Sequence, residues 1–356
     1  MNPSLISLFL IPGLYYLNMA NTKPLIGITM GDAAGIGPEI ILKTLQDPVI
    51  LKTARFLILG DKYVFSAAAK KIKCPDASQS TMTFPVIRDL TSIPSAPIVF
   101  YDGAYFDKPP VFGKVNKSCG KAAIHSIETA VQLALQKKIA AIVTAPLNKE
   151  ILKLADSPFH GHTEMLAKLT HTKEFGMAFV GGGLKLILTT IHEPISKVPK
   201  LLTLKKVLGS IQLAARACNE LGIKNPKIGV AGLNPHAGEN GMFGTEEIKI
   251  ITPAIRKAKQ SKIDVSGPIP PDTLFHRTLH GEFDFLVCMY HDQALIPLKT
   301  LDFYGGVNLT IGLPIIRTSP DHGTAYDLAG KGIANPDSMK AAVQLAVQIT
   351  HHRNLV

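Results

Sequence analysis

An α/β fold with a largely parallel sheet and covering helices is what this sequence predicts, on three observations. Short apolar runs recur along the 356 residues, each closed by a turn or a polar cluster. Amphipathic stretches of helical period lie between many of them. The composition, 46% hydrophobic and 18% charged, allows a sizeable core and argues against disorder. A chain of this length suits two domains better than one.

The candidate strands fall at 25–30, 56–59, 98–101, 140–144, 184–191, 227–231, 285–290 and 307–311. The clearest helical patterns cover 121–137, 204–221, 245–260 and 338–351. In the first of these, Ala123, Ile127, Ala130 and Ala134 recur at helical spacing. Strands alternating with helices are the rhythm of a parallel sheet. The Ser-, Thr- and Pro-rich segment 75–97 reads as a surface excursion.

The net charge is +11, but Lys and Arg are dispersed. The densest cluster, Lys70, Lys71 and Lys73, has no interleaved aromatics. A solvated face is therefore expected, with neither nucleic acid nor membrane as partner, and a positive field would favour phosphorylated, acidic substrates. The four cysteines, Cys74, Cys119, Cys218 and Cys288, form no C-x-x-C pair and fit a reducing compartment. The apolar stretch 5–17 is too short to span a bilayer, contains Pro12-Gly13 and lacks a basic leader. Residues 1–20 are expected to be an extension upstream of a start at Met19, and the protein to be cytoplasmic.

After the first strand, residues 31–39 combine three glycines with Pro38 and Glu39. Glycine permits positive φ, proline suits the first turn of a helix, and a helix start can hold an anion. The spacing is not G-x-G-x-x-G, so a plain strand-to-helix turn and a ligand loop both stay open.

His192, His236 and His291 each stand at or just after the end of a predicted strand. Ligands of open α/β sheets bind beyond the carboxyl ends of strands. Three imidazoles there would suit one divalent ion with positions left for substrate. Taken singly, each also reads as a hydrogen-bonded structural residue. Downstream, Lys299 and Arg317 bracket a strand bearing Asn308, and Arg offers a planar fork for carboxylate or phosphate. Gly161-His162-Thr163-Glu164 opens a helical pattern, in which Thr163 could serve as N-cap.

Together these segments resemble the PdxA family of 4-hydroxythreonine-4-phosphate dehydrogenases. The matching pieces are the turn over 31–39, Thr144-Ala145-Pro146-Leu147-Asn148-Lys149, Gly161-His162-Thr163-Glu164, Thr190-Ile191-His192, the run over 232–239, Pro271-Asp272-Thr273-Leu274-Phe275, Met289-Tyr290-His291-Asp292-Gln293 and Ile316-Arg317-Thr318-Ser319. They run in order from Thr22 onward. Two mild departures are Ile191, where threonine would be usual, and Phe243 in the loop after Glu239.

The resemblance implies that His192, His236 and His291 bind a divalent metal shared across a homodimer interface, Zn first, with Mg or Co as alternatives. It implies that His162, Thr163, Lys299, Asn308 and Arg317 hold the substrate. The segment 322–336 is similar to the adenosine-binding loop of isopropylmalate and isocitrate dehydrogenases, which also carry a comparable turn near the start. That likeness implies their two-domain fold, with the active site in the interdomain cleft. Residues 21–125 with 300–356 would form the cofactor side and 126–299 the middle domain. Gly323, Thr324, Asp327 and Asn335 would contact NAD, or NADP.

The activity implied is oxidation of 4-(phosphooxy)-L-threonine at C3, followed by decarboxylation, in vitamin B6 synthesis. Asp272 and Asp292 are the candidates for general base or amine contact. Phosphorylated four-carbon sugar acids are the nearest alternative substrates. A zinc hydrolase and an acyltransferase of the phosphate acetyltransferase type are the alternatives of other classes.

Overall fold

The computed structural model describes residues 23–72, 84–159 and 161–355. The expected extension over 1–20, Met19, Cys74 and the first part of the 75–97 excursion lie outside the described residues.

Among the described residues, twelve strands form one sheet: β1 (Leu25–Thr29), β2 (Arg55–Gly60), β3 (Val86–Ile87), β4 (Ile98–Asp102), β5 (Ala141–Thr144), β6 (Gly176–Gly181), β7 (Leu184–Leu188), β8 (Ile228–Ala231), β9 (Val265–Ile269), β10 (Phe285–Cys288), β11 (Val307–Ile311) and β12 (Arg317–Pro320). Their order is β3-β4-β2-β1-β5-β12-β11-β6-β7-β10-β8-β9. The strands from β3 to β12 in that order pair in parallel, as do β7, β10, β8 and β9. Antiparallel pairing of β12, β11, β6 and β7 joins the two blocks. The helices are α1 (Gly37–Leu45), α2 (Pro48–Thr53), α3 (Lys62–Ala69), α4 (Lys117–Leu135), α5 (Lys149–Leu154), α6 (His162–Leu169), α7 (Val198–Leu201), α8 (Leu204–Glu220), α9 (Thr252–Gln260), α10 (Pro271–Leu279), α11 (His291–Leu301) and α12 (Asp337–Leu355).

Burial explains why the parallel blocks form. Ile26, Ile28, Phe56, Ile58, Phe100, Val230, Phe285 and Val287 belong to one continuous core. Strands covered on both faces by helices can be apolar throughout. Several helices, α2, α3, α4, α5 and α8, begin where a side chain satisfies free backbone N–H groups. The Asn116 side chain accepts from Ser118 N to start α4, and the Thr203 hydroxyl accepts from Lys206 N to start α8. Among the described residues, no helix is long and apolar enough to cross a membrane.

The turn over 31–39 is a packing device. Gly31 has φ +69°, and a Cβ there would lie 2.3 Å from the Pro146 carbonyl oxygen. The chain itself occupies the start of α1, because Ile36 N donates to the Thr324 carbonyl at 3.0 Å. Glu39 stands in the first turn of α1 and also accepts from Ala334 N at 2.7 Å and Gly332 N at 3.2 Å. Lys43 closes the latch, donating to Glu39 and to the Gly332 and Ala334 carbonyls. The N-terminal turn thereby shapes the C-terminal glycine-rich loop.

Candidate active site

β7, β10 and β8 run parallel, so their carboxyl ends share one edge of the sheet. After β7 the chain stays tied to its neighbour: Thr189 N donates to Cys288 O and Thr190 N to Met289 O. This delivers His192 beside His291, with ring centroids 5.5 Å apart and planes tilted by 44°. Burial first, then the charges of Lys149 and His291, lower the His192 pKa and favour the neutral ring. His291 Nδ1 lies 2.7 Å from Asp292 Oδ1. A carboxylate there favours the tautomer with hydrogen on Nδ1, leaving the Nε2 lone pair for a ligand.

His236 follows β8 on an unusual backbone. Residues His236, Ala237, Gly238, Glu239 and Asn240 all have left-handed φ, between 42° and 83°. Left-handed residues other than glycine cost about 1–2 kcal/mol each. The buried carboxylate of Glu247 holds the entry to this turn, accepting from Leu233 N and Asn234 N at 2.8 Å and from Asn234 Nδ2 at 2.9 Å. His236 itself is exposed, near Phe243. Among the described residues of a single chain, no group of three His, Cys, Asp or Glu gathers into a metal-binding cluster. One chain thus brings His192 and His291 together and does not join His236 to them. Two imidazoles, one with its Nδ1 held by a carboxylate, are donors that suit a borderline-soft divalent ion.

The basic grip centres on Arg317. Its side chain is 2% exposed on β12. Its Nε and one terminal nitrogen donate to Thr144 Oγ1 at 3.1 and 2.7 Å, and the other terminal nitrogen donates to Thr310 Oγ1 at 3.0 Å and Asn308 Oδ1 at 3.4 Å. None of the ion pairs among the described residues includes it. Burial lowers its pKa to about 9, so the group stays charged at neutral pH with neutral partners only. His162 opens α6, and its Nε2 is buried without a hydrogen-bond partner. Burial and then the Arg317 charge hold its pKa well below 6.5. Thr163 is not the N-cap: that position is Gly161, and Thr163 lies inside the first turn. Lys299 on α11 donates to the Asp321 carbonyl at 3.0 Å and lies 3.1 Å from the Asp321 carboxylate.

In the C-terminal loop, Gly323 is exposed with open space at its Cβ position, and Asp327 is exposed. Thr324 is buried against Gly35. The Asn335 side chain accepts from Asp337 N at 2.7 Å and so caps α12. Tyr326 OH donates to the buried Asp32 carboxylate, a second tie between this loop and the N-terminal turn. Asp272 stands exposed in the first turn of α10.

Sequence reasoning passed over Asp321, Thr144, Thr310, Lys149 and Gln293. Lys149 acts on His192 through its charge. The Asp321 pKa is raised by burial, against the lowering charges of Lys299, His291 and His322. Thr144, Lys149 and Gln293 lie within segments the resemblance had already marked. Asp321 carried no such signal.

Comparison with known proteins completes the picture. The profile described as pyridoxal phosphate biosynthetic protein PdxA matches residues 52–346. The chain belongs to the PdxA family. The 4-hydroxythreonine-4-phosphate dehydrogenase of Desulforapulum autotrophicum is 46% identical, over 92% of this chain and 96% of that protein. A protein of Oceanobacillus iheyensis, provisionally named a D-threonate 4-phosphate dehydrogenase, is 45% identical over 92% of this chain and 98% of its own. Among solved structures, the 4-hydroxythreonine-4-phosphate dehydrogenase of Klebsiella pneumoniae superposes with a TM-score of 0.80 at 39% identity, covering 93% of this chain and 99% of that one.

Proposed function

We propose that this PdxA-family chain is a nicotinamide-dependent dehydrogenase that oxidises 4-(phosphooxy)-L-threonine at C3. The product, 2-amino-3-oxo-4-(phosphooxy)butanoate, loses carbon dioxide to give 3-amino-2-oxopropyl phosphate on the route to pyridoxal phosphate. The single observation that carries the reading is Arg317, a buried cation offered only neutral partners, in a chain of this family. Such a group is completed by an anionic ligand, and the guanidinium fork matches phosphate or carboxylate.

In this reading Arg317, Asn308 and the neutral His162 grip one end of the substrate. Thr163 adds a hydroxyl from the same turn of α6, and Lys299, partly neutralised by Asp321, adds a point charge near His291. His192 and His291 hold a divalent ion, Zn first, with Mg or Co as alternatives, and His236 of a second copy completes the set. The exposure of His236 on a rigid turn supports that homodimeric arrangement. When bound, the ion supplies Lewis-acid polarisation of the substrate alcohol, and NAD, or NADP, supplies the hydride acceptor. For the alcohol proton, Asp292 is favoured over Asp272, because its carboxylate stands 2.7 Å from His291 Nδ1. Gly323, Thr324, Asp327 and Asn335 form the cofactor loop, shaped from behind by Glu39 and Lys43.

The cofactor side comprises the described residues of 21–125 and 300–356 together with the remainder of α4 and β5, which pairs with β1 and β12. The rest of 126–299 forms the middle unit. A cytoplasmic location is supported by the free, buried thiols of Cys119, Cys218 and Cys288.

A second reading changes only the substrate, to D-threonate 4-phosphate, and the relative from Oceanobacillus iheyensis favours it. The two differ by an amino group in place of a hydroxyl at C2. Turnover by purified protein on each compound, followed as nicotinamide reduction, separates them. A kcat/KM at least about tenfold higher for the amino acid is expected; preference for the sugar acid would replace the first reading by the second.

A further inference from the structure

Behind the three histidines runs a line of buried hydrogen bonds that the chemistry above does not use. Thr190 Oγ1, just after β7, donates to the Met289 carbonyl at 2.7 Å. Met289 N, just after β10, donates to Gln293 Oε1 at 2.7 Å. Gln293 Nε2 donates to the Gly232 carbonyl, just after β8, at 2.7 Å. The next two residues, Leu233 and Asn234, donate their N–H groups to Glu247. The line therefore passes without a break from the segment carrying His192, through that carrying His291, to the turn carrying His236. Gln293 is 7% exposed and Glu247 3%.

We propose that Gln293, with Glu247 behind it, is a positioning residue that sets His192 against His291 and holds the turn that presents His236 to the partner's site. The chemistry of the side chain supports this. Bridging a backbone N–H to a backbone carbonyl requires an acceptor and a donor on one short planar group, which a carboxamide provides and a carboxylate or alkyl group does not. Gln293 also lies in the first turn of α11, the helix that begins with His291, so its two bonds set that helix start against β8. The left-handed turn beyond Gly232 is a conformation that persists only where its surroundings over-determine it. Gln293 at the last residue before that loop and Glu247 at its entry supply the determination. Outer partners of this kind orient metal-binding side chains without touching the ion.

This inference rests on the reading in which the histidines hold a divalent ion. The test uses the full chain, stripped of metal and titrated with Co(II), read by the visible spectrum of the bound ion and by calorimetry. Gln293→Leu, of similar size, should weaken Co(II) binding about tenfold to a hundredfold and alter its spectrum. Gln293→Glu keeps the bond from Met289 but loses the one to Gly232, and it should fall between Gln293→Leu and the unmodified protein. Glu247→Gln should weaken binding in the same direction, and it answers independently if Gln293→Leu does not fold. His291→Ala is the control. If it loses Co(II) while the Gln293 and Glu247 variants bind normally with an unchanged spectrum, the positioning role is overturned and the metal reading stands. A lower melting temperature with unchanged Co(II) affinity and spectrum also overturns it. If His291→Ala itself binds Co(II) normally, the metal reading fails and takes the inference with it.

Discussion

Arg317 and Thr144 meet through two hydrogen bonds, at 3.1 and 2.7 Å, that leave a buried guanidinium facing hydroxyl groups where a carboxylate would ordinarily stand. Hydroxyl dipoles solvate the charge without cancelling it. A buried cation of this kind costs stability in the free protein and repays that cost when an anion arrives.

Arg317→Met should therefore separate stability from binding. KM for the phosphorylated substrate should rise roughly a hundredfold, from the loss of charge-assisted hydrogen bonds worth about 3 kcal/mol. The free protein should unfold at the same urea concentration or a higher one, because a costly buried charge has gone. Steady-state kinetics and a urea titration check both. An unchanged KM with a loss of more than about 2 kcal/mol in stability would make Arg317 a structural residue.

His162 gives a pH dependence with a definite sign. Its folded pKa lies well below 6.5, first through burial and then through the Arg317 charge. Between that depressed value and 6.5, the unfolded chain binds a proton that the folded chain refuses. Stability is level above this window and falls as pH falls through it. His162→Gln should make the acid limb shallower, with a residual slope from His192 and His322, whose pKa values are lowered as well. Urea midpoints measured at several pH values test this; identical slopes would show that His162 takes up its proton as freely folded as unfolded.

Asn335 combines two roles that need separate variants. Its side chain caps α12, so Asn335→Ala loses about 1 kcal/mol of cap energy as well as any cofactor contact. Asn335→Ser keeps a capping oxygen and shortens the side chain. It should raise KM for NAD about tenfold, equivalent to ~1.4 kcal/mol, while leaving KM for the substrate and the melting temperature unchanged. Normal NAD binding by Asn335→Ser would confine the residue to capping.

The parts of this fold that the sequence announces are those where burial and period agree. β1, β2, β4, β5, β8, β10 and β11 are short apolar runs, and α8 keeps the helical period nearly end to end, whereas α12 is apolar on several sides because Met339, Ala342, Val343, Leu345, Ala346 and Ile349 are all buried. β12 escaped because its sequence, Arg-Thr-Ser-Pro, is polar; it is buried because Arg317 finds Thr144 and Thr310 across the sheet. β9 contains Gly267-Pro268 and β6 is bounded by glycines, both of which read locally as turns. The expected strand over 184–191 ends at Leu188 because the chain beyond it bonds to the exit of β10. The expected helix over 245–260 begins with a π turn, Glu247–Ile251, before α9.

For the site, residue types and strand-end placement were legible, whereas convergence was not. His192 and His291 are far apart in the chain, and only the pairing of β7 with β10 makes them neighbours. The left-handed turn at His236 had no local signature, since a lone glycine among five residues does not announce it. It depends on Glu247, which arrives from the following helical segment.

The most direct test of the account is nicotinamide reduction with 4-(phosphooxy)-L-threonine by metal-stripped protein, before and after Zn(II) or Co(II) is restored. The account predicts that thorough chelation abolishes turnover and that metal returns it, at about one ion per shared site. Turnover unaffected by chelation, or no nicotinamide reduction with any phosphorylated four-carbon acid in the presence of metal, would contradict it.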